Sequence, residues 1–377
     1  MVWYVCDRSE CCDGLNKMKD TSGLQAVRVR IDEIDEKIQA LITERAKCAE
    51  EVARQKGNGP DVIYYRPERE AQVLRAVMAR NEGPLSDETM ARHFREIMSS
   101  CLALQYPMKI AFLGPAGTFT QAAATKHFGD AVTTVPMAGI DDIFREVESG
   151  SAHYGVVPVE NSTEGVVNHT LDMFMNSPLS IYGEVELRIH HNLMSKAKGL
   201  KAIKKLYVHH QAHAQCRGWL DANLPGIDCA VVSSNAEAAR CAAEDASTGA
   251  IAGEKAAEIY ALGILASNIE DEPDNTTRFL VVGNNLAQPS GQDKTSLLVS
   301  TANNPGALHK LLKVFADSDI SMTRIESRPS RRGMWDYVFF IDIEGHVQEP
   351  TVEKSLQRLK SEGYMVKVLG SYPDAVL

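Results

Sequence analysis

Apolar residues recur at Val27, Ile31, Ile34, Ile38, Leu41, Cys48 and Val52, a three–four alternation that predicts one long amphipathic helix packing as in a coiled coil. The pattern begins only near Leu24, so residues 1–22 read as an N-terminal extension, disordered or loosely packed. Gly57-Asn58-Gly59-Pro60 ends the helix. Arg66-Pro67 opens a second helix, with proline in its first turn and Val73, Leu74 and Val77 on its apolar side. Gly83-Pro84 breaks it, and Ser86 reads as the N-cap of a third, whose stripe runs Met90, Phe94, Ile97 or Met98, Cys101 and Gln105. From residue 107 short apolar strands alternate with helices, and each strand ends in small polar residues, the pattern of parallel α/β units. Residues 288–293 form a linker by composition. Beyond it the order strand, helix, strand, strand, helix, strand is the ferredoxin-like βαββαβ pattern. The chain therefore divides into a helical domain over 23–106, an α/β domain over 107–286 and a small α+β domain over 292–377.

A chain of 377 residues is too long for one ordinary core, which agrees with that division. The net charge of -10 argues against general nucleic-acid binding. No stretch reaches the roughly 18 apolar residues of a membrane span, and the start lacks the basic leader of a secretory signal. Eight scattered cysteines without CxxC spacing read as free thiols of a reducing cytoplasm. His209, His210 and His213 look like a metal tract, but no cysteine or carboxylate pattern completes it.

Charges interrupt the helical seam. Arg45 fills the slot between Leu41 and Cys48, Lys56 continues the stripe, and Arg28 extends it backwards. Buried charges need partners, either an ion-pair network or an anionic ligand. Arg28 and Arg45 are separated by roughly 25 Å along a helix, too far for one small ligand in one subunit. Two sites, or a dimer that lends Arg28 across to its partner, are required. Arg28, Arg45, Lys56, Arg69, Glu70, Cys101 and Gln105 resemble the pattern of the all-helical bacterial chorismate mutases. That resemblance implies an intertwined dimer in which Arg28 and Arg45 grip carboxylates and Lys56 and Gln105 hydrogen-bond the ether oxygen. It also implies that Glu70 holds the ring hydroxyl and that Arg69 supports the pocket. Arg66 stands where an aspartate can occur, and Cys101 where a serine can.

In the α/β domain the polar turns are Gly114-Pro115-Ala116-Gly117-Thr118-Phe119-Thr120, Glu160-Asn161-Ser162-Thr163-Glu164-Gly165, His209 to Cys216, Ser233-Ser234-Asn235, and Asp274-Asn275-Thr276-Thr277-Arg278-Phe279. A glycine-rich turn before a helix suits an anion. The first turn has neither the lysine of a Walker loop nor a GxGxxG spacing. Taken in order, these segments resemble prephenate dehydratase over about 175 residues, which implies two lobes like those of periplasmic binding proteins with the site between them. By that resemblance Thr277 donates a hydrogen bond to the departing hydroxyl, with Arg278 beside it for charge and Phe279 in the site. Thr118, Thr120, Asn161, Ser162, Thr163 and Gln215 would bind the substrate.

Asn304-Pro305-Gly306-Ala307-Leu308 and Glu326-Ser327-Arg328-Pro329 resemble the phenylalanine-binding motifs of an ACT domain. The three resemblances together are those of the bifunctional chorismate mutase/prephenate dehydratases of bacterial phenylalanine biosynthesis. They imply substrates chorismate and prephenate, inhibition by L-phenylalanine, no cofactor, no metal, and a cytoplasmic homodimer whose pairing into tetramers is open. Two rivals are an amino-acid sensor without turnover and a dehydratase preferring arogenate.

Overall fold

The computed structural model describes residues 8–57, 62–301, 304–329 and 337–377. Residues 1–7, the turn at 58–60 and the basic turn expected at 331–333 lie outside the described residues. The chain forms two units, Met1–Val62 and Ile63–Leu377. The first holds one helix, α1 (Arg8–Lys56), which begins well before Leu24. The backbone from Arg8 on is helical: no proline interrupts it, and an existing helix extends at little cost per residue. Its predicted apolar stripe is present but uncovered: Val27, Ile31, Ile34, Ile38 and Leu41 are all exposed.

The second unit starts with α2 (Pro67–Ala79) and α3 (Asp87–Gln105), which pack on each other. Ser86 caps α3, its hydroxyl accepting from the Thr89 amide at 3.2 Å. Next come β1 (Lys109–Leu113), α4 (Phe119–Phe128), β2 (Thr133–Met137), α5 (Ile140–Glu148), β3 (Tyr154–Asn161), β4 (Gly165–Val166), α6 (Asn168–Asn176) and β5 (Ser180–Arg188). The chain then crosses into a second lobe. That lobe comprises β6 (Asn192–Ser195), β7 (Lys205–His209), α7 (His210–Gln215), α8 (Arg217–Asn223), β8 (Asp228–Val232), α9 (Asn235–Ala242), β9 (Thr248–Ala252), α10 (Glu254–Tyr260) and β10 (Gly263–Ala266). It crosses back as β11 (Thr276–Gly283). The first sheet has the order β2-β1-β3-β11-β5 with β4 paired to β3, and the second β10-β6-β9-β7-β8. The two crossings are stitched together, Ile189 N donating to Asn275 O and Ile269 N to His191 O, both at 2.8 Å. Two α/β lobes joined by two crossings are the expected arrangement.

The rest is β12 (Asp293–Thr301), α11 (Ala307–Asp317), β13 (Met322–Pro329), β14 (Tyr337–Glu344), α12 (Pro350–Ser361) and β15 (Met365–Pro373), in the sheet order β13-β14-β12-β15. One face of this sheet covers α11 and α12 through Leu297, Val299, Phe315 and Leu359. The other face shares a core with the first lobe, where Leu298, Val338, Phe340 and Leu369 meet Val157, Leu280 and Val282. The joint is close: a Cβ on Gly370 of β15 would lie 2.1 Å from the Ile181 carbonyl oxygen of β5. The linker expected at 288–293 is tied down, because the Asp293 carboxylate accepts from the amides of Ser290 and Gly291 and Arg75 donates to the Gln292 carbonyl.

Candidate active site

Strands β3 and β11 lie side by side, with Thr277 opposite Asn161 and Arg278 opposite Glu160. The next pair is Phe279 with Pro158, so Val159 has no partner on β11 and forms a bulge. Directly opposed residues share a face, and a bulge re-aims those beyond it. The bulge therefore brings Asn161, rather than Glu160, alongside Thr277.

Backbone donors fix the direction of every hydrogen bond in the resulting network. The Asn161 side-chain oxygen accepts from the amides of Thr163 and Glu164, each at 3.0 Å. Its nitrogen must then donate, and it does so to Thr277 Oγ1 and Asn275 Oδ1, both at 2.8 Å. Asn275 passes the direction on, donating to Gln215 Oε1 at 3.3 Å. Gln215 Oε1 also accepts from His191 Nε2 at 2.8 Å, while Gln215 Nε2 donates to Glu164 at 3.3 Å. Gln211 is bonded to the same carboxylate. His191 is thus the Nε2–H tautomer. Burial lowers its pKa more than Gln215 and Glu270 raise it, and its Nδ1 has no partner among the described residues. Thr277 is buried, and its oxygen receives a hydrogen bond while no acceptor takes its own hydrogen among the described residues. That hydrogen is available to a ligand.

The neighbouring turns are built for position. Ser162 Oγ accepts from the Thr276 amide at 3.0 Å, tying the two polar segments together. Thr118 caps α4, its hydroxyl donating to Leu113 O at 2.8 Å and accepting from the Gln121 amide at 3.4 Å. Thr120, in the first turn of α4, is buried. Gly117 has φ +91°, and a Cβ there would come within 3.2 Å of the Ala256 methyl on α10. Tyr260 of α10 donates to Ala116 O at 3.0 Å, so this turn reaches across to the second lobe.

Two of the expected dehydratase residues have other partners in the structure. Arg278 leaves β11 on the face opposite Thr277, because strand residues alternate. Its guanidinium binds Glu184 at 2.9 Å, Asp342 at 2.6 Å and the Tyr372 hydroxyl at 3.0 Å. Burial opposes its charge, but Tyr372, Asp342 and Glu184 more than compensate and hold its pKa above the usual value. It faces the C-terminal sheet rather than a ligand beside Thr277. Phe279 does share the Thr277 face, but it is packed with Tyr154, Tyr182 and Val281 and is a core residue.

Of the expected mutase residues, Arg28, Arg45 and Lys56 lie along α1, where Arg28 is exposed and Arg45 and Lys56 are half-buried. In the second unit, Arg66 and Arg69 are exposed, Cys101 is buried at the end of α3, and Gln105 is half-buried. Glu70 pairs with the buried Arg95 at 3.2 Å. Burial raises the Glu70 pKa, opposed by Arg95.

In the C-terminal domain Gly306 precedes α11 with φ +78°, and Ala307 N donates to Asn304 O at 3.1 Å. Leu308 is exposed, and Tyr364 donates to Ala307 O at 3.0 Å. Along β13 Glu326 is half-buried, whereas Ser327 and Pro329 are exposed. Arg328 is turned towards α6, where it binds Asn168 at 2.6 Å and Asp172 at 2.9 Å. Sequence reasoning missed Asn275, Glu164 and His191. The first two sit inside motifs already singled out, and the only trace of the third is a histidine pair beside Asn192.

The chain matches the chorismate mutase type II family over residues 27–106, prephenate dehydratase over 110–287 and the ACT domain over 295–361. It is 55% identical to a bifunctional chorismate mutase/prephenate dehydratase of Pseudomonas aeruginosa, covering 96% of this chain and all of that one. Among solved structures, the prephenate dehydratase of Arthrobacter aurescens in complex with L-Phe is 36% identical with a TM-score of 0.64, covering 71% of this chain and 90% of that one. GqqA, described as a quorum-quenching acylase, is 31% identical with a TM-score of 0.66, covering 71% and 98%.

Proposed function

The chain belongs to the bifunctional chorismate mutase/prephenate dehydratases, and from that premise we propose which of its residues carry each step. Chorismate rearranges to prephenate without a nucleophile or an acid–base group, so catalysis consists of holding the reactive shape and stabilising charge on the breaking ether oxygen. By role, Arg28 and Arg45 take the carboxylates, Lys56 and Gln105 the ether oxygen, and Glu70 the ring hydroxyl, and Arg66, Arg69 and Cys101 are further substrate-binding residues. The uncovered stripe on α1 supports a homodimer, in which Arg28 serves the neighbouring subunit.

In the second step the bond from the ring to its carboxylate breaks and releases CO₂. Its electron pair aromatises the ring and expels the hydroxyl, which leaves as water after gaining a proton. One observation carries the assignment: Asn161 donates to Thr277 Oγ1 at 2.8 Å, which leaves the Thr277 hydrogen for the departing hydroxyl. An alcohol is a hydrogen-bond donor rather than a free acid at neutral pH, so Thr277 stabilises the leaving oxygen and aromatisation drives the step. Ser162, Thr163 and Gln215 line the substrate's polar end. At the opposite turn, where the Thr118 hydroxyl already serves as a cap and Thr120 is buried, the amides at the start of α4 suit a carboxylate.

L-Phenylalanine is the effector, held by residues 304–308 and 326–329, and it acts by favouring a less active state. The test follows chorismate loss and phenylpyruvate formation in one reaction, with and without phenylalanine. Binding of phenylalanine without turnover of either substrate would overturn the reading in favour of a sensor.

A further inference from the structure

Glu160 and Arg278 are the residues next in sequence to Asn161 and Thr277, and they are also each other's cross-strand partners. Both turn away from the cleft and face the C-terminal sheet. There each meets its opposite charge: Arg324 Nε lies 2.8 Å from Glu160, and Asp342 lies 2.6 Å from Arg278. Arg324 and Asp342 are in turn cross-strand partners on β13 and β14. Two sheets thus meet through a square of four charges of alternating sign. Behind it, Glu184 has a fully buried side chain and takes both Arg278, at 2.9 Å, and Lys294, at 2.6 Å. Arg324 also shares one face of β13 with Glu326 and with Arg328, which grips α6.

We infer that Glu160 and Arg278 are positioning residues for the dehydratase reaction, holding Asn161 and Thr277 in register from behind and letting β13 and β14 of the C-terminal domain set that register. The part concerning the effector rests on the phenylalanine reading above. A backbone shift at β13 is passed to Glu160 by one ion pair, and the next residue along the strand is Asn161. Misplacing the Asn161 amide by a fraction of an ångström weakens its bond to Thr277 and turns the free hydrogen away from the leaving group.

The test uses the full chain with Glu160→Gln, Arg324→Gln, Arg278→Lys and the exchanged pair Glu160→Arg with Arg324→Glu. Mutase activity in each preparation reports that the protein is folded, and the side chain of Glu160, 40% exposed, tolerates substitution. Each single variant should lower dehydratase kcat by roughly two- to thirtyfold and blunt inhibition by phenylalanine, with KM for prephenate unchanged within twofold. Arg278→Lys should fall furthest, because an ammonium cannot reach Glu184, Asp342 and Tyr372 together. The exchanged pair should recover most of the loss. The inference is overturned if Glu160→Gln and Arg324→Gln keep full kcat and full inhibition, if the loss appears in KM instead, or if the exchanged pair is no better than the singles. Unmodified protein that phenylalanine does not slow would remove the effector reading alone, and the kcat comparison would still judge the positioning role.

Discussion

The Asn161 amide nitrogen donates to Thr277 Oγ1 across β3 and β11 at 2.8 Å, and two backbone amides on its oxygen hold it the right way round. Asn161→Asp keeps the size and the two backbone bonds but replaces the donor with an acceptor. The Thr277 hydrogen would then turn to the carboxylate, and dehydratase kcat should fall by about 10²-fold or more. Steady-state assay of both activities checks this; mutase activity should not change.

Thr277→Ser and Thr277→Ala separate the hydroxyl from the rest of the side chain. Serine places the same donor on the same strand and should stay within about tenfold of the native rate, while alanine should lose about 10²-fold or more. Equal rates for the two variants would remove the hydroxyl from the reaction.

The polar turns that meet at this site are legible in the sequence, and the partners that hold them are less so. Each polar turn is local: a strand end, small hydroxyl or amide residues, then a helix start. Asn161, Ser162, Gln215 and Thr277 could therefore be picked out though far apart in the chain, and they do converge. For Arg278, alternation says only that it points away from Thr277. What waits on that side, Glu184, Asp342 and Tyr372, comes from strands brought there by tertiary packing. The bulge at Val159 and the ordered linker held by Asp293 are likewise tertiary choices without a local signal.

His127 gives a pH prediction. Burial, with a smaller contribution from Arg95, lowers its pKa to about 3, and its Nε2 is bonded to the Tyr65 hydroxyl at 2.9 Å. The unfolded chain protonates it near pH 6.5 and the folded chain does not, so its contribution is intact above pH 6.5 and is lost as pH falls towards 3. The loss should be roughly 1.4 kcal/mol per pH unit below 6.5. His127→Gln should flatten that slope in urea melts between pH 7.5 and 4.5; an unchanged slope would mean that the folded histidine is protonated too.

The exposed stripe on α1 predicts a separable lesion. Ile34→Asp places a charge among Ile31, Ile38 and Leu41 and should weaken self-association and lower mutase activity by at least about tenfold at micromolar protein. Sedimentation measures the first and chorismate consumption the second, while dehydratase activity should persist.

Gly370→Ala addresses the joint between the sheets. Its Cβ would meet backbone rather than a movable side chain, so β15 must shift from β5, at a cost of roughly 1–3 kcal/mol. Thermal melts should show the loss. Dehydratase kcat should fall with it, since Tyr372 on the same strand holds Arg278.

The bulge at Val159 has a consequence for what the gene can tolerate. If β3 paired with β11 without a bulge, Glu160 would stand opposite Thr277, presenting a carboxylate to the hydroxyl that must donate, and Asn161 would be turned out of the cleft. An insertion between Val159 and Asn161 would therefore damage the chemistry and the contact with the C-terminal sheet in a single event. Over residues 158–161 the length of the strand is therefore as constrained as the identities of Glu160 and Asn161.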